Sequence, residues 1–266
     1  MKAQITLTVS ESKRLIAKAI KEHPLVKKAL SDGIIAIGLG STNALVVEEL
    51  LGKKIDKSRY VAGFVDTVGT CVVPLDKRIP AIALENGKII KEDLINLAKR
   101  MKNNDVFIKG ANALDNDGVA GVMMASLTGG TISLVLGTIK ARGIKLLIPV
   151  GLEKLVPGSI EETSKIAGIY EMDYASGVPV GLMPVSGEVV TEIESFKLLS
   201  GVQTYVIGAG SIGQQAGVIT LILYGDRTKV KKAINIVDSI RGEQDITSKR
   251  GACSNCYYRC PKNIKV

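Results

Sequence analysis

Gly38-Leu39-Gly40-Ser41-Thr42 is the first place in this sequence where residue types and spacing suggest chemistry. The segment follows an apolar run and precedes a helical pattern. Glycines let a backbone approach a ligand closely, and free N–H groups at a helix start favour an anion. Ser41 and Thr42 add hydroxyls. Thr128-Gly129-Gly130-Thr131 repeats the arrangement before a second helix. The third constellation spans residues 105–118: an apolar strand delivers Lys109 to its C-terminal end, with Asn112, Asp115 and Asp117 on the loop behind it. A lysine beside two carboxylates is a set for proton transfer and charge stabilisation. The expected catalytic residues are therefore Lys109, Asp115 and Asp117. The expected ligand-binding residues are Gly38, Gly40, Ser41, Thr42, Asn112, Gly129, Gly130 and Thr131. The competing reading is two ordinary capped helix starts and an Asn-Asp-Gly turn with solvated aspartates.

The four cysteines form a second group. Cys253, Cys256 and Cys260 crowd the last fourteen residues as C-x2-C-x3-C-P, and Cys71 stands apart. Three thiolates this close suit one metal or cluster. The C-x3-C-P ending is like the close of a ferredoxin cysteine run, so a 4Fe-4S cluster is the first expectation, with zinc as the alternative and redox-active thiols also open. Cys71 is a candidate fourth ligand. Lys249, Arg250, Arg259 and Lys262 favour thiolates. Cys71 and Asp66, each near a strand end, are weaker candidates for the site itself.

Gly208 to Gly213 reads GAGSIG, a literal GxGxxG. Only four residues separate it from the next apolar run, too few for the helix that must meet a pyrophosphate. A glycine-rich loop is expected there, and no NAD.

These groups need elements to position them. Residues 12–21 read as an amphipathic helix, and residues 33–39 as a strand buried on both faces of a parallel sheet. A helix follows to residue 51. Strands are expected at 60–65, 106–108 and 144–150, alternating with helices at 91–101 and 132–142. That alternation predicts a Rossmann-like α/β parallel sheet with helices on both faces, and ligands at the C-terminal ends of its strands. From about residue 160 the pattern changes: a helix at 160–167, a Gly/Pro-rich stretch, a helix at 188–200, strands at 202–208 and 218–224, and a last helix after Asp226. The expected organisation is an α/β domain (1–158), a small α+β subdomain (159–242) and a basic cysteine-bearing tail (243–266).

Composition narrows the partners. Net charge is +9 and favours an anionic small molecule. Aromatics are 4% and Trp is absent, so platforms for stacking bases are scarce and a nucleic-acid face is not expected. Hydrophobic and charged residues interleave, with no apolar run of about 18 residues for a membrane helix. The N-terminus lacks a secretory h-region, so a cytoplasmic protein is expected. A homo-oligomer stays open.

The IGLGST turn, the FIKGANAL segment and GGTISLVLGTIKARGIKLLIPVG together resemble the superfamily of ribose-5-phosphate isomerase, glucosamine-6-phosphate deaminase and CoA transferases, over about residues 30–155. GANALDNDG is also similar to the lactate-utilisation and methylthioribose-phosphate isomerase branches. In the isomerases a glycine-serine-threonine loop holds phosphate; Gly40, Ser41 and Thr42 match it. A lysine in an IKGGGGAL-like segment binds and polarises the sugar phosphate; Ile108, Lys109, Gly110, Ala113 and Leu114 match parts of that segment. The resemblance implies that Asp117 or Asp115 moves a proton between neighbouring carbons while Lys109 stabilises an enediolate. CoA transferases use a glutamate nucleophile, and Glu153 stands where it would reach the same edge. The alternative is an exposed Glu153–Lys154 pair. The acidic DGADE-type motif is replaced here by Lys102-Asn103-Asn104-Asp105.

Overall fold

A computed structural model describes residues 1–211, 216–248, 250, 251, 256 and 260. In chain order the elements are β1 (Lys2–Leu7), α1 (Val9–Glu22), α2 (Pro24–Ser31), β2 (Ile34–Ile37), α3 (Ser41–Leu51), β3 (Gly63–Asp66), β4 (Gly69–Val72), β5 (Ile82–Glu85), β6 (Lys88–Ile90), α4 (Leu94–Arg100) and β7 (Val106–Ile108). They continue with β8 (Ala113–Leu114), β9 (Ala120–Met124), α5 (Gly130–Arg142), β10 (Lys145–Pro149), α6 (Ile160–Ser164), β11 (Gly181–Val185), β12 (Glu188–Val190), α7 (Glu192–Ser200), β13 (Gln203–Ala209), β14 (Ile219–Tyr224) and α8 (Arg227–Ile240).

The protein is mixed α/β. Its main sheet has six strands in the order β12-β10-β7-β2-β5-β6. β12, β10, β7 and β2 run parallel, whereas β5 and β6 are antiparallel, so the sheet is mixed. β2 explains why the parallel strands read as unbroken apolar runs: Ile34 and Ala36 point into one core, Ile35 and Ile37 into the other. With side chains alternating across a sheet covered on both faces, every position must be apolar. α1, α2 and α3 supply one cover, α4 and α5 the other.

Two strand pairings join residues on either side of position 158. β12 joins the main sheet beside β10, and β1 pairs with β14 in a second sheet, β1-β14-β13. That sheet shares a third core with α7 and α8. Residues 188–200 thus contain a strand before the helix, and the N-terminus opens with a strand. The segment expected as a sheet strand at 60–65 instead enters a separate hairpin of β3 and β4. The β5–β6 hairpin turns on Asn86 and Gly87, both at positive φ, the backbone that a two-residue hairpin turn requires. Around GAGSIG the flanking strands β13 and β14 pair antiparallel, and the Gly210 amide donates to the Val218 carbonyl at 2.9 Å. The segment therefore joins a hairpin; Ile212 and Gly213 lie outside the described residues. No helix among the described residues is long and apolar enough to cross a membrane.

Candidate functional site

The parallel strands end along one rim, and their backbone bonding runs on past the strands. Gly38 N–H donates to Ile108 O, Lys109 N–H to Leu147 O, and Val150 N–H to Val190 O. Residues following β2, β7, β10 and β12 are thereby held side by side.

The glycine loop after β2 is pinned by Tyr60 and Asn43. Tyr60 is fully buried; its hydroxyl donates to Ile37 O at 2.7 Å and accepts from Ile82 N–H at 3.0 Å, while its carbonyl takes the Gly40 amide at 2.9 Å. Burial holds the phenol above its ordinary range. Asn43 Nδ2 donates to Gly38 O at 2.7 Å. With the Gly40 amide occupied, α3 begins without a side-chain cap, and the amides of Ser41, Thr42 and Asn43 have no partner among the described residues. Thr42 Oγ1 and Asn43 Oδ1 are buried and also without a partner. Buried polar atoms are rarely left so. Here they stand at the positive end of a helix, where an anion gains most.

Lys109 follows β7 and reaches this loop. A side-chain carbon at Gly38 would lie 3.1 Å from Lys109 Cδ, so glycine leaves room for the lysine stem. Lys109 Nζ donates to Gly110 O at 2.9 Å. Lys154, after β10, donates to Ala111 O at 2.9 Å. Burial, and next the charge of Lys154, pull the Lys109 ammonium down to about 8.

The cleft above these groups has two lobes. The smaller, about 160 Å³, is lined by Ser41, Thr42, Asn43, Asn112, Lys109 and Lys154. The larger, about 780 Å³, runs from Gly38 and Lys109 to Gly129, Gly130 and Thr131 at the start of α5. That helix also begins without a side-chain cap, on Gly129 at positive φ. Lys109 borders both lobes and joins the two glycine loops.

The aspartates lie elsewhere. Asp115 is buried in the β8–β9 turn, where one carboxylate oxygen accepts the amides of Asp117 (3.1 Å) and Val119 (2.9 Å) and the other accepts Ile160 N–H (3.0 Å). Burial raises this carboxyl, but the amides of Ile160, Val119 and Asp117 outweigh it and hold it below its ordinary value. Asp117 is exposed on the same turn. Neither lines the cleft, so their geometry is that of a turn organiser and a solvated neighbour. Asn112 does line the smaller lobe, and its Oδ1 accepts Met123 N–H at 3.1 Å.

Comparison with family models, with curated proteins and with solved structures finds no match for this chain.

Other polar groups gather near the rim. Glu153 is no exposed partner of Lys154: both its carboxylate oxygens are buried and unpartnered. Glu192, after β12, is fully buried; one oxygen accepts Leu152 N–H at 3.0 Å and the other has no partner. Burial, then the charge of Glu153, raises Glu192 to about 7. Lys13 of α1 is lowered to about 8 by burial and by Lys154. Asn43 sat in view in the Gly-Ser-Thr-Asn run. Glu192 and Lys13 carried no local signal, because β12 and α1 reach the rim only through long-range pairing and packing.

Arg250 docks on the β3–β4 hairpin. Arg250 pairs with Asp66 and donates to Gly69 O at 2.8 Å. The Arg250 pairing holds the Asp66 carboxyl down to about 2. Cys71, in β4, lines the smaller lobe. Burial raises its thiol, Arg250 opposes, and the nearby Cys256 adds to the rise. Cys256 is exposed and Cys260 buried; Cys253 lies outside the described residues. Among the described residues no three His, Cys, Asp or Glu side chains gather as a metal would need.

Proposed function

We propose that this chain is an enzyme that binds a phosphorylated or otherwise anionic small molecule at the C-terminal rim of its parallel strands, and that its chemistry is isomerase- or transferase-like. One observation carries the reading. The uncapped start of α3, with Thr42 Oγ1 buried and unpartnered, opens into the same lobe as Lys109 and Lys154. Three backbone amides, a hydroxyl and two ammonium groups then face one small volume, a set that fits a phosphate. Asn43 Oδ1 is an acceptor beside these donors and suits a hydroxyl on the ligand.

Lys109 takes the central role. An amine with a pKa near 8 exchanges a proton readily at neutral pH, and its protonated form stabilises an enediolate. The base expected at Asp115 or Asp117 is not supported by their positions. The likeness to the phosphosugar isomerases and CoA transferases belongs to this proposal. So does a Rossmann-like description of the main sheet, supported by four parallel strands covered on both faces, and a cytoplasmic setting. Isothermal titration of inorganic phosphate, ribose 5-phosphate and an acyl-CoA into wild type and Lys109→Ala tests it. Binding by at least one of them, weakened in the variant, is expected; no binding by any, or equal binding by both proteins, overturns it.

A second reading rests on the cysteines. Arg250 anchors the tail beside Cys71, and Cys256 stands near enough to raise the Cys71 thiol. This supports a thiol site at the lobe, holding a 4Fe-4S cluster or zinc with Cys256, Cys260 and Cys253. An absorbance spectrum of anaerobically purified protein, with iron and zinc analysis, decides it: colourless, metal-free protein removes this reading.

A further inference from the structure

We infer that the ligand is an amphipathic anion, whose charged head occupies the smaller lobe and whose aliphatic chain occupies the larger one. This rests on the anion site proposed above and adds the class of molecule. The two lobes meet at Lys109, Leu39 and Met123, so one ligand can span both. The larger lobe holds most of the volume, about 780 Å³ against 160 Å³. Its walls are aliphatic: Ile82, Ile90, Leu94, Met124 and Ile132 face it together with Met123.

Two apolar residues of the lobe lack cover. Ile89 is 49% exposed and Met123 36%, although both border the cleft. A compact sugar phosphate would leave this apolar surface in water. A chain laid along it removes both surfaces from water at once. Among the described residues no aromatic side chain lines the larger lobe, so they offer a nucleobase no ring to stack on. Methionines suit a flexible chain because their own side chains adapt to it. Of the charged groups lining the larger lobe, Glu92 accepts from Arg100, Asp93 caps α4 and Arg78 donates to Val73 O, while Lys91 is exposed to solvent. Lys109 is the charged group common to both lobes. The occupant inferred is a free molecule, not a membrane lipid.

The test is isothermal titration of the full chain with inorganic phosphate, ethyl, butyl and hexyl phosphate, and ribose 5-phosphate. Affinity is expected to rise from ethyl to hexyl phosphate by roughly fourfold per methylene that the lobe buries, and hexyl phosphate to bind more tightly than ribose 5-phosphate. Ile89→Gln, at a partly exposed position that borders the larger lobe alone, is expected to flatten the series while keeping the affinity for inorganic phosphate. Phosphate binding with no dependence on chain length overturns this inference and leaves the anion site standing. Ribose 5-phosphate binding more tightly than hexyl phosphate, or binding only to vesicles of anionic phospholipid, overturns it too. No binding by any probe, phosphate included, overturns the anion site as well.

Discussion

Lys109 and Lys154 come from the ends of neighbouring parallel strands, and each donates to one of two consecutive carbonyls, Gly110 O and Ala111 O, at 2.9 Å. The pair is fixed by the backbone between them. Two ammonium groups held this way repel each other and lack full solvation, and an anion placed between them and the start of α3 relieves both costs.

That relationship sets a pH dependence. Lys109 is protonated below about 8, so sulfate, whose charge is constant in this range, is expected to bind about tenfold more weakly once Lys109 is neutral. Binding near pH 8 should take up a proton, seen as a heat that changes with the ionisation enthalpy of the buffer. Lys109→Met should abolish both effects. Stability moves the other way. Between about 8 and the ordinary lysine value the unfolded chain holds protons on Lys109 and Lys13 that the fold does not, so stability rises with pH across that window. A flat sulfate isotherm from neutral to alkaline pH contradicts this assignment.

Thr42→Val separates binding from folding. Its hydroxyl is buried with no partner, so a methyl in its place should leave thermal stability unchanged or slightly raised. If Oγ1 awaits a charged ligand, phosphate affinity should fall about tenfold. Unchanged affinity would show that the hydroxyl does not face the ligand.

The two aspartates should behave very differently from a catalytic pair. Asp115→Ala removes the acceptor of three amides, one buried and two part-buried, and is expected to cost about 2–4 kcal/mol in a denaturant melt. Asp117→Ala, at an exposed position, should stay within about 0.5 kcal/mol. Neither change should weaken phosphate binding by folded protein. Loss of binding in stable Asp117→Ala protein would restore the role that the sequence suggested.

The sequence made the parallel strands legible because a strand buried on both faces is apolar at every position, as 34–37 and 106–108 are. The glycine loops were legible as helix starts, since glycine beside Ser and Thr ahead of an apolar helical pattern marks one, and α3 and α5 begin there. The Asn86-Gly87 hairpin also has a local signal, but the alternating βα pattern around it points to parallel strands alone. Asp115 misled because a carboxylate near a lysine in sequence looks like its partner. The β8–β9 turn carries it away instead, to the amides of Val119 and Ile160. Lys13 and Glu192 each come within the electrostatic reach of Glu153 only after α1 and β12 pack beside β10, and no local pattern encodes that meeting.

Glu192 offers a test of that assembly. Its carboxyl is raised to about 7, so between the ordinary glutamate value and about 7 the fold holds a proton that the unfolded chain has released. Its contribution to stability is fully present at acid pH and is lost as pH rises through about 7. Glu192→Gln should flatten the melting temperature over that range. An unaltered pH profile would place the protonated group elsewhere.

The most direct measurement is an amide nitrogen–proton correlation spectrum of the protein, recorded while inorganic phosphate is added. Ser41, Thr42 and Asn43 should shift together and saturably, with Gly38 and Lys109 following, and Lys109→Met should abolish the effect. Shifts confined to surface lysines, or none at the start of α3, would contradict an anion site there.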